Sequence, residues 1–169
     1  PSLAEVTLNE GLESIGQAAF STSALTEITI PSTVESVELG AFEACNSLES
    51  ITVASGNQNF KVSGNCLIDT ERKMIIAGLN NSVIPADGSV KIIGDYAFSG
   101  MQELSNIDIP ASVTTIGEGA FANCTSLESV YVPPTVTYIG DMAFMGGESG
   151  ETLLIVDEGS YAHNYAMDM

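Results

Sequence analysis

A side chain does chemistry in company, so what stands near each reactive residue decides what it can do. Histidine occurs once, at His163, and cysteine three times, at Cys45, Cys66 and Cys124. A metal centre needs Cys or His ligands at short spacing, and His163 has no such partner. Nucleophilic catalysis needs an activated Ser or Cys with a matching base. Neither a G-x-S-x-G motif nor a Cys/His constellation is present. The carboxylates form no D-x-D-x-D-G loop, although their number leaves a looser surface calcium site open. Gly88, Gly94 and Gly117 belong to recurring turns and not to a phosphate loop. An enzyme is not expected, and no cofactor is implied.

Charge narrows the partners. Four basic residues face 22 acidic ones, a net charge of −18 with a pI near 4.1. Such a surface repels phosphates, so nucleic acid and anionic lipid are disfavoured. No run approaches the ~18 apolar residues of a membrane span. No signal peptide is seen, and Pro1 falls part-way into a repeat, so the chain reads as a piece of a larger protein. All four basic residues, Lys61, Arg72, Lys73 and Lys91, fall in one stretch. They are either the polar turn residues of a long hairpin or a local recognition spot; Arg72, Lys73 and Lys91 are kept as candidate binding residues.

What positions these side chains is a repeat, cleanest from Leu104 to Phe121, where L-x-x-I-x-I-P is followed by V-x-x-I-G-x-x-A-F. The Ala-Phe pair recurs at Ala19, Ala41, Ala97, Ala120 and Ala143, in steps of 22, 56, 23 and 23 residues. The long step holds two copies, one degenerate and enlarged. A unit this small cannot bury its own apolar residues, so copies must stack into shared ladders. The I-x-I alternation predicts a strand with one buried face, ended by Pro31, Pro110 or Pro133. The V-x-x-I segment returns on the opposite side. Gly16, Gly94, Gly117 and Gly140 are expected to supply a backbone conformation closed to other residues. The Ala-Phe pair is expected to open a helical or 3-10 turn, with the five rings on one continuous ridge. Cys45 and Cys124 share one repeat position and read as core. They are at least two coils apart, and at roughly 4.8 Å per coil that exceeds the ~7 Å reach of a disulfide.

The composite I-P-x-x-V-x-x-I-G-x-x-A-F-x-x-C-x-x-L is matched throughout from Ile109 to Leu127. It resembles the BspA-like leucine-rich repeats of bacterial surface proteins. The insertion N-x-x-F…C-L-I…I-I-A-G…I-P resembles the enlarged repeats of the same family. The resemblance covers essentially the whole chain, about seven coils counting partial ones. Asn9 in place of proline, Glu38 in place of glycine and Met101 in place of cysteine are departures that bear on local turns. The resemblance implies an α/β repeat solenoid: a right-handed leucine-rich repeat coil with short parallel strands and short helical or 3-10 turns. It implies an extracellular or cell-surface location within a larger secreted protein, and adhesion to host matrix proteins or other cells.

In chain order, a single repeat domain is expected over 1–169: regular repeats over 3–53, an enlarged repeat with a hairpin over 54–103, regular repeats over 104–152 and a C-terminal cap over 153–169. The hairpin is signalled by Cys66–Ile68 and Met74–Ala77 around a polar Asp69–Lys73. Ser160 is the expected N-cap of a terminal helix. The residues facing outward from the I-x-I strands are Thr7, Thr29, Thr52, Asp108 and Tyr131. Thr29, Thr52, Asp108 and Tyr131 are the first candidate binding face, since an exposed tyrosine favours contact; threonine is also simply a good strand residue. The partner is expected to be a protein or other cell-surface macromolecule. The other function class is a structural spacer that projects another domain.

Overall fold

The computed structural model describes residues 2–146 and 152–168. The glycine-rich loop expected between Met145 and Thr152 falls largely outside the described residues. The coils contribute to two walls, with a turn between them. On the first wall, β2 (Glu27–Ile30) pairs parallel with β4 (Ser50–Val53), and β10 (Ser129–Val132) with β12 (Leu153–Val156). These are the I-x-I segments: Ile28, Ile30, Ile51, Val130 and Val132 point inward and are buried. Pro31 ends β2 and Pro133 ends β10, and the proline carbonyl then accepts from the valine three residues on, as Pro133 does from the Val136 N–H at 3.0 Å. Asn9 keeps that turn, taking the Leu12 N–H at 3.3 Å. Between the two ladders, residues 83–85 and 105–110 form no strand, although Ile84, Ile107 and Ile109 are buried.

The second wall holds the V-x-x-I segments. Strand β1 (Ser14–Ile15) pairs parallel with β3 (Ser36–Val37). Strands β8 (Ile92–Ile93), β9 (Thr115–Ile116) and β11 (Tyr138–Ile139) run parallel in a separate six-stranded sheet. The remaining members of that sheet come from the enlarged repeat: β5 (Phe60–Ser63), β6 (Cys66–Asp69) and β7 (Met74–Ala77). The expected hairpin is β6–β7, and the structure adds β5, paired antiparallel to β6. Gly64 and Asn65, both left-handed at φ 57°, make the two-residue turn between β5 and β6, the geometry that suits a twisted hairpin. The order β11-β9-β8-β7-β6-β5 joins this meander to the regular coils through β7 and β8.

The turns differ from expectation in three respects. They are runs of separate i→i+3 turns and not helix; among the described residues the one α-helix is α1 (Tyr161–Asp168). The reason is a left-handed residue two before every ring of the repeat, at Ala18, Gly40, Tyr96, Gly119 and Met142, which a right-handed helix cannot accept. The chain is thus a β-solenoid with little helix. Second, Gly94, Gly117 and Gly140 are not left-handed. They are glycine because the preceding coil lies against them: a Cβ at Gly140 would stand 2.4 Å from the Glu118 nitrogen, and one at Gly94 2.6 Å from the Ile75 oxygen. Third, the ring ladder is in two pieces. Phe20 stacks on Phe42 at 5.4 Å, and Phe98, Phe121 and Phe144 stack at 5.0 and 5.3 Å. Between them Gly78 takes the ring's place: its N–H donates to Ala97 as Phe98 does to Ala120.

Helix α1 starts where Ser160 Oγ accepts the His163 N–H at 3.0 Å, the expected cap. It buries Ala162 and packs on β11 and β12.

Candidate functional site

The residues singled out from the sequence lie on two different walls. On the outer face of the first wall, Thr29, Thr52, Asp108 and Tyr131 are all exposed, each beside buried neighbours. Thr29 and Thr52 are direct register partners whose hydroxyls bond at 2.8 Å. This is the cross-strand pairing that stabilises a ladder. Asp108 sits on the unpaired segment between the two ladders. The row is therefore hydrogen-bonded in two separate ladders, with Asp108 between them. Thr7 stands off further, because an open cleft of about 400 Å³ separates residues 4–8 from residues 26–29.

Tyr131 has the richest surroundings. It is the register partner of Ile155, and its phenol donates to Asp157 Oδ2 at 2.7 Å. That bond fixes the ring across β10 and β12. It also raises the tyrosine's pKa, since ionisation would lose the donor beside a carboxylate. Leu153, Ile155 and Tyr131 are 65%, 51% and 45% exposed. The outer face is thus apolar at this end, where the threonine ladder is polar. Leu153 and Ile155 escaped the sequence reading because Leu153–Val156 is apolar throughout, so alternation selects no face. The signal was in the register: Ser129 pairs with Leu153, which puts Ile155 in the position of Tyr131.

The basic residues belong to the second wall. Arg72 and Lys73 close the β6–β7 turn, where the Arg72 N–H donates to Asp69 Oδ1 at 2.8 Å and its Nε lies 3.7 Å from Asp69 Oδ2. Lys91 follows on the next coil, its N–H donating to the Lys73 carbonyl at 2.8 Å. The structure therefore brings Lys73 and Lys91 together on adjacent coils and Arg72 beside them in sequence. Lys61 is on β5, near Asp87, whose carboxyl is held low first by Ser89 hydrogen bonds and then by that lysine.

The thiols are structural. Cys45 Sγ donates to the Phe20 carbonyl at 2.9 Å and Cys124 Sγ to the Phe98 carbonyl at 3.1 Å, each tying its coil to the one before. Burial raises all three, Cys66 to about 11 and Cys124 to about 12. Thiols held protonated in this way are poor nucleophiles. His163 Nδ1 accepts the Gly159 N–H at 3.0 Å, which ties the ring to its own helix start. Among the described residues no three His, Cys, Asp or Glu side chains are placed to hold a metal, and no helix is long and apolar enough to cross a membrane.

A leucine-rich repeat protein from Eubacterium ventriosum matches with a TM-score of 0.74 at 28% identity, over 82% of this chain and 38% of that one. A leucine rich cell surface protein from Faecalibacterium prausnitzii matches with a TM-score of 0.59 at 21% identity, over 94% of this chain and 61% of that one. The second likeness is one of fold. The chain spans less than two thirds of the length of either. No curated protein matches it. The BspA type leucine rich repeat region matches residues 1–76 and 75–167, in six copies, and the chain belongs to that family.

Proposed function

We propose that this chain is a protein-binding module of a larger bacterial surface protein, and that it binds through the outer face of β10 and β12. The observation that carries the proposal is the side-by-side exposure of Tyr131, Leu153 and Ile155 on one ladder. Single exposed apolar residues are ordinary, but a contiguous set rimmed by polar groups is what an interface anchor looks like. Tyr131 is held by Asp157, so little side-chain freedom remains to be lost on contact. The acidic body favours a neutral or basic partner and works against nucleic acid. Family membership, together with the description of the Faecalibacterium prausnitzii protein as a cell surface protein, supports a surface location. Asp108, Thr29 and Thr52 flank this face along the same wall. The turn carrying Arg72, Lys73 and Lys91 is the second contact surface.

The test is binding of the chain to immobilised host matrix proteins and to whole cells. Tyr131→Ala combined with Ile155→Ser should weaken binding at least tenfold with an unchanged melt. Full binding by that variant, with loss on combining Arg72→Ala, Lys73→Ala and Lys91→Ala, would move the site to the basic turn. Absence of binding by both the chain and the larger protein would leave the spacer reading.

A further inference from the structure

On the second wall the coils pair in parallel, β1 with β3 and β7 through β8 and β9 to β11, and one edge, that of β3 facing β5, is left unpaired. In every regular step, two carbonyls of a V-x-x-I segment accept N–H groups from the next coil. Glu13 and Ile15 accept from coil two, Lys73 and Ile75 from β8 and its flanks, and Lys91 and Ile93 from the coil of β9. The equivalent carbonyls of β3 are those of Glu35 and Val37. Among the described residues no N–H donates to either, because the strand that should follow, β5, pairs only with β6. A cleft of about 330 Å³ opens instead between residues 35–39 and the meander at 58–60 and 69–72.

The two carbonyls are spaced i, i+2 along one strand and point the same way, out of the β1–β3 pair. That is the acceptor pattern a parallel strand reads. Strand edges of this kind are the usual receivers of an added extended segment, in which main-chain hydrogen bonds give affinity and side-chain contacts give selectivity. The cleft supplies the second part. Glu35, Glu38, Asp69 and Glu71 line it, and its one cation, Arg72, is already paired with Asp69. The lining is thus net acidic on both sides of the open edge.

We propose that this edge receives a short extended segment of a partner protein, running parallel to β3. Its alternate N–H groups donate to the Glu35 and Val37 carbonyls, and its lysine or arginine side chains meet the acidic lining. The added strand repeats what Lys91 and Gly94 do for Lys73 and Ile75. The site lies on a different wall from Tyr131 and does not depend on the reading of that face.

The probe is a hexapeptide alternating lysine with valine, blocked at both ends, followed by amide chemical shifts on the labelled protein. Shifts confined to residues 35–39, 58–60 and 69–72 are expected. Glu35→Gln with Glu38→Gln should weaken binding about fivefold or more with the melt unchanged. N-methylation of alternate peptide nitrogens should weaken it at least tenfold in one phase and leave it unaltered in the other, since only one phase faces β3. Three results would each overturn the proposal: no saturable shifts, shifts elsewhere, or equal tolerance of both methylation phases. A hexapeptide with glutamate in place of lysine binding equally well would also refute it, by removing the charge selectivity.

Discussion

The coil from Leu104 to Cys124 and the enlarged coil between Val53 and Leu79 carry the same repeat, yet they fill space differently. The regular coil gives each wall one segment and the turn one ring; Phe121 stacks at 5.0 Å on Phe98 and 5.3 Å on Phe144. The enlarged coil gives the second wall three strands and the turn no ring at all. Gly78 stands in the ring position with Phe98 packed so close that a Cβ there would lie 1.9 Å from the ring. On that side the flanking coils reach past it: the Ala44 N–H donates to Ser99 at 2.9 Å, and Gly100 lies against Ala44. A solenoid's spacing is therefore set wall by wall. A coil thick on one wall and thin at the turn must part from its neighbour somewhere, and it does so between β3 and β5.

The largest effect should come from the ring ladder. Phe121 is 1% exposed and has a ring on both faces. Phe121→Ala should cost about 3–5 kcal/mol, as large aromatic truncations in full cores do. Phe42 has one ring partner, Phe20, which is itself half-buried. A stacked pair is worth ~0.5–1.5 kcal/mol beyond burial, so Phe42→Ala should cost less than Phe121→Ala by about that amount. Urea melts of the two variants decide it. Equal losses would mean that the break at Gly78 has no energetic consequence and that the contrast between the coils is one of shape alone.

That contrast shows what was legible in the sequence. The period was, because the Ala-Phe pair and the I-x-I alternation are local patterns and each copy restates them. The β6–β7 hairpin was, from Cys66–Ile68 and Met74–Ala77 around polar Asp69–Lys73. Strand β5 was not: Phe60-Lys61-Val62 alternates for too short a stretch to stand out. The role of Gly117 and Gly140 was misread, because what forbids a side chain there is the backbone of another coil 22 or 23 residues away. The same limit hid Leu153 and Ile155, and the unpaired carbonyls of Glu35 and Val37. Contacts between coils follow from register, and register is not written in any one copy. Thr29, Thr52, Asp108 and Tyr131 could be placed outward from alternation alone, but that Thr29 and Thr52 share one ladder, Tyr131 sits on another and Asp108 lies between them could not.

The glycines sharpen the comparison at intermediate size. Gly140→Ala puts a methyl 2.4 Å from the Glu118 nitrogen, backbone that cannot step aside, and should destabilise by about 1–3 kcal/mol. Gly16 holds the same repeat position in the first coil, where nothing lies within 4 Å of a Cβ and φ is not left-handed. Gly16→Ala should leave stability unchanged or raise it by about 0.4–1 kcal/mol, through the less flexible unfolded chain. The two melts should move in opposite directions. Movement in the same direction would show that the position carries a backbone requirement after all.

The smallest effect is a pH dependence shared between the two kinds of coil. Cys124 belongs to a regular coil and Cys66 to the enlarged one; burial raises them to about 12 and about 11 from an ordinary 9.0. The folded state thus holds the thiol proton more tightly than the unfolded chain. The stabilisation this represents is fully present below pH 9 and is lost as pH rises toward those folded values. Stability should therefore be flat from pH 7 to about 8.5 and fall above 9, by roughly 1 kcal/mol per thiol at pH 10. Tyr96, Tyr131 and Tyr165 are also raised, but from 10.0, so they add little below about pH 9.5, and the interval between pH 9 and 9.5 reports mainly the thiols. Urea midpoints across that interval, for wild type and for Cys124→Ala, are the measurement. The variant is less stable at pH 7, yet it has one proton fewer to lose and its curve should be the shallower. A variant curve parallel to wild type would mean that the thiol is not shielded in the stack, and that the regular coils are no tighter around it than the enlarged coil is around Cys66.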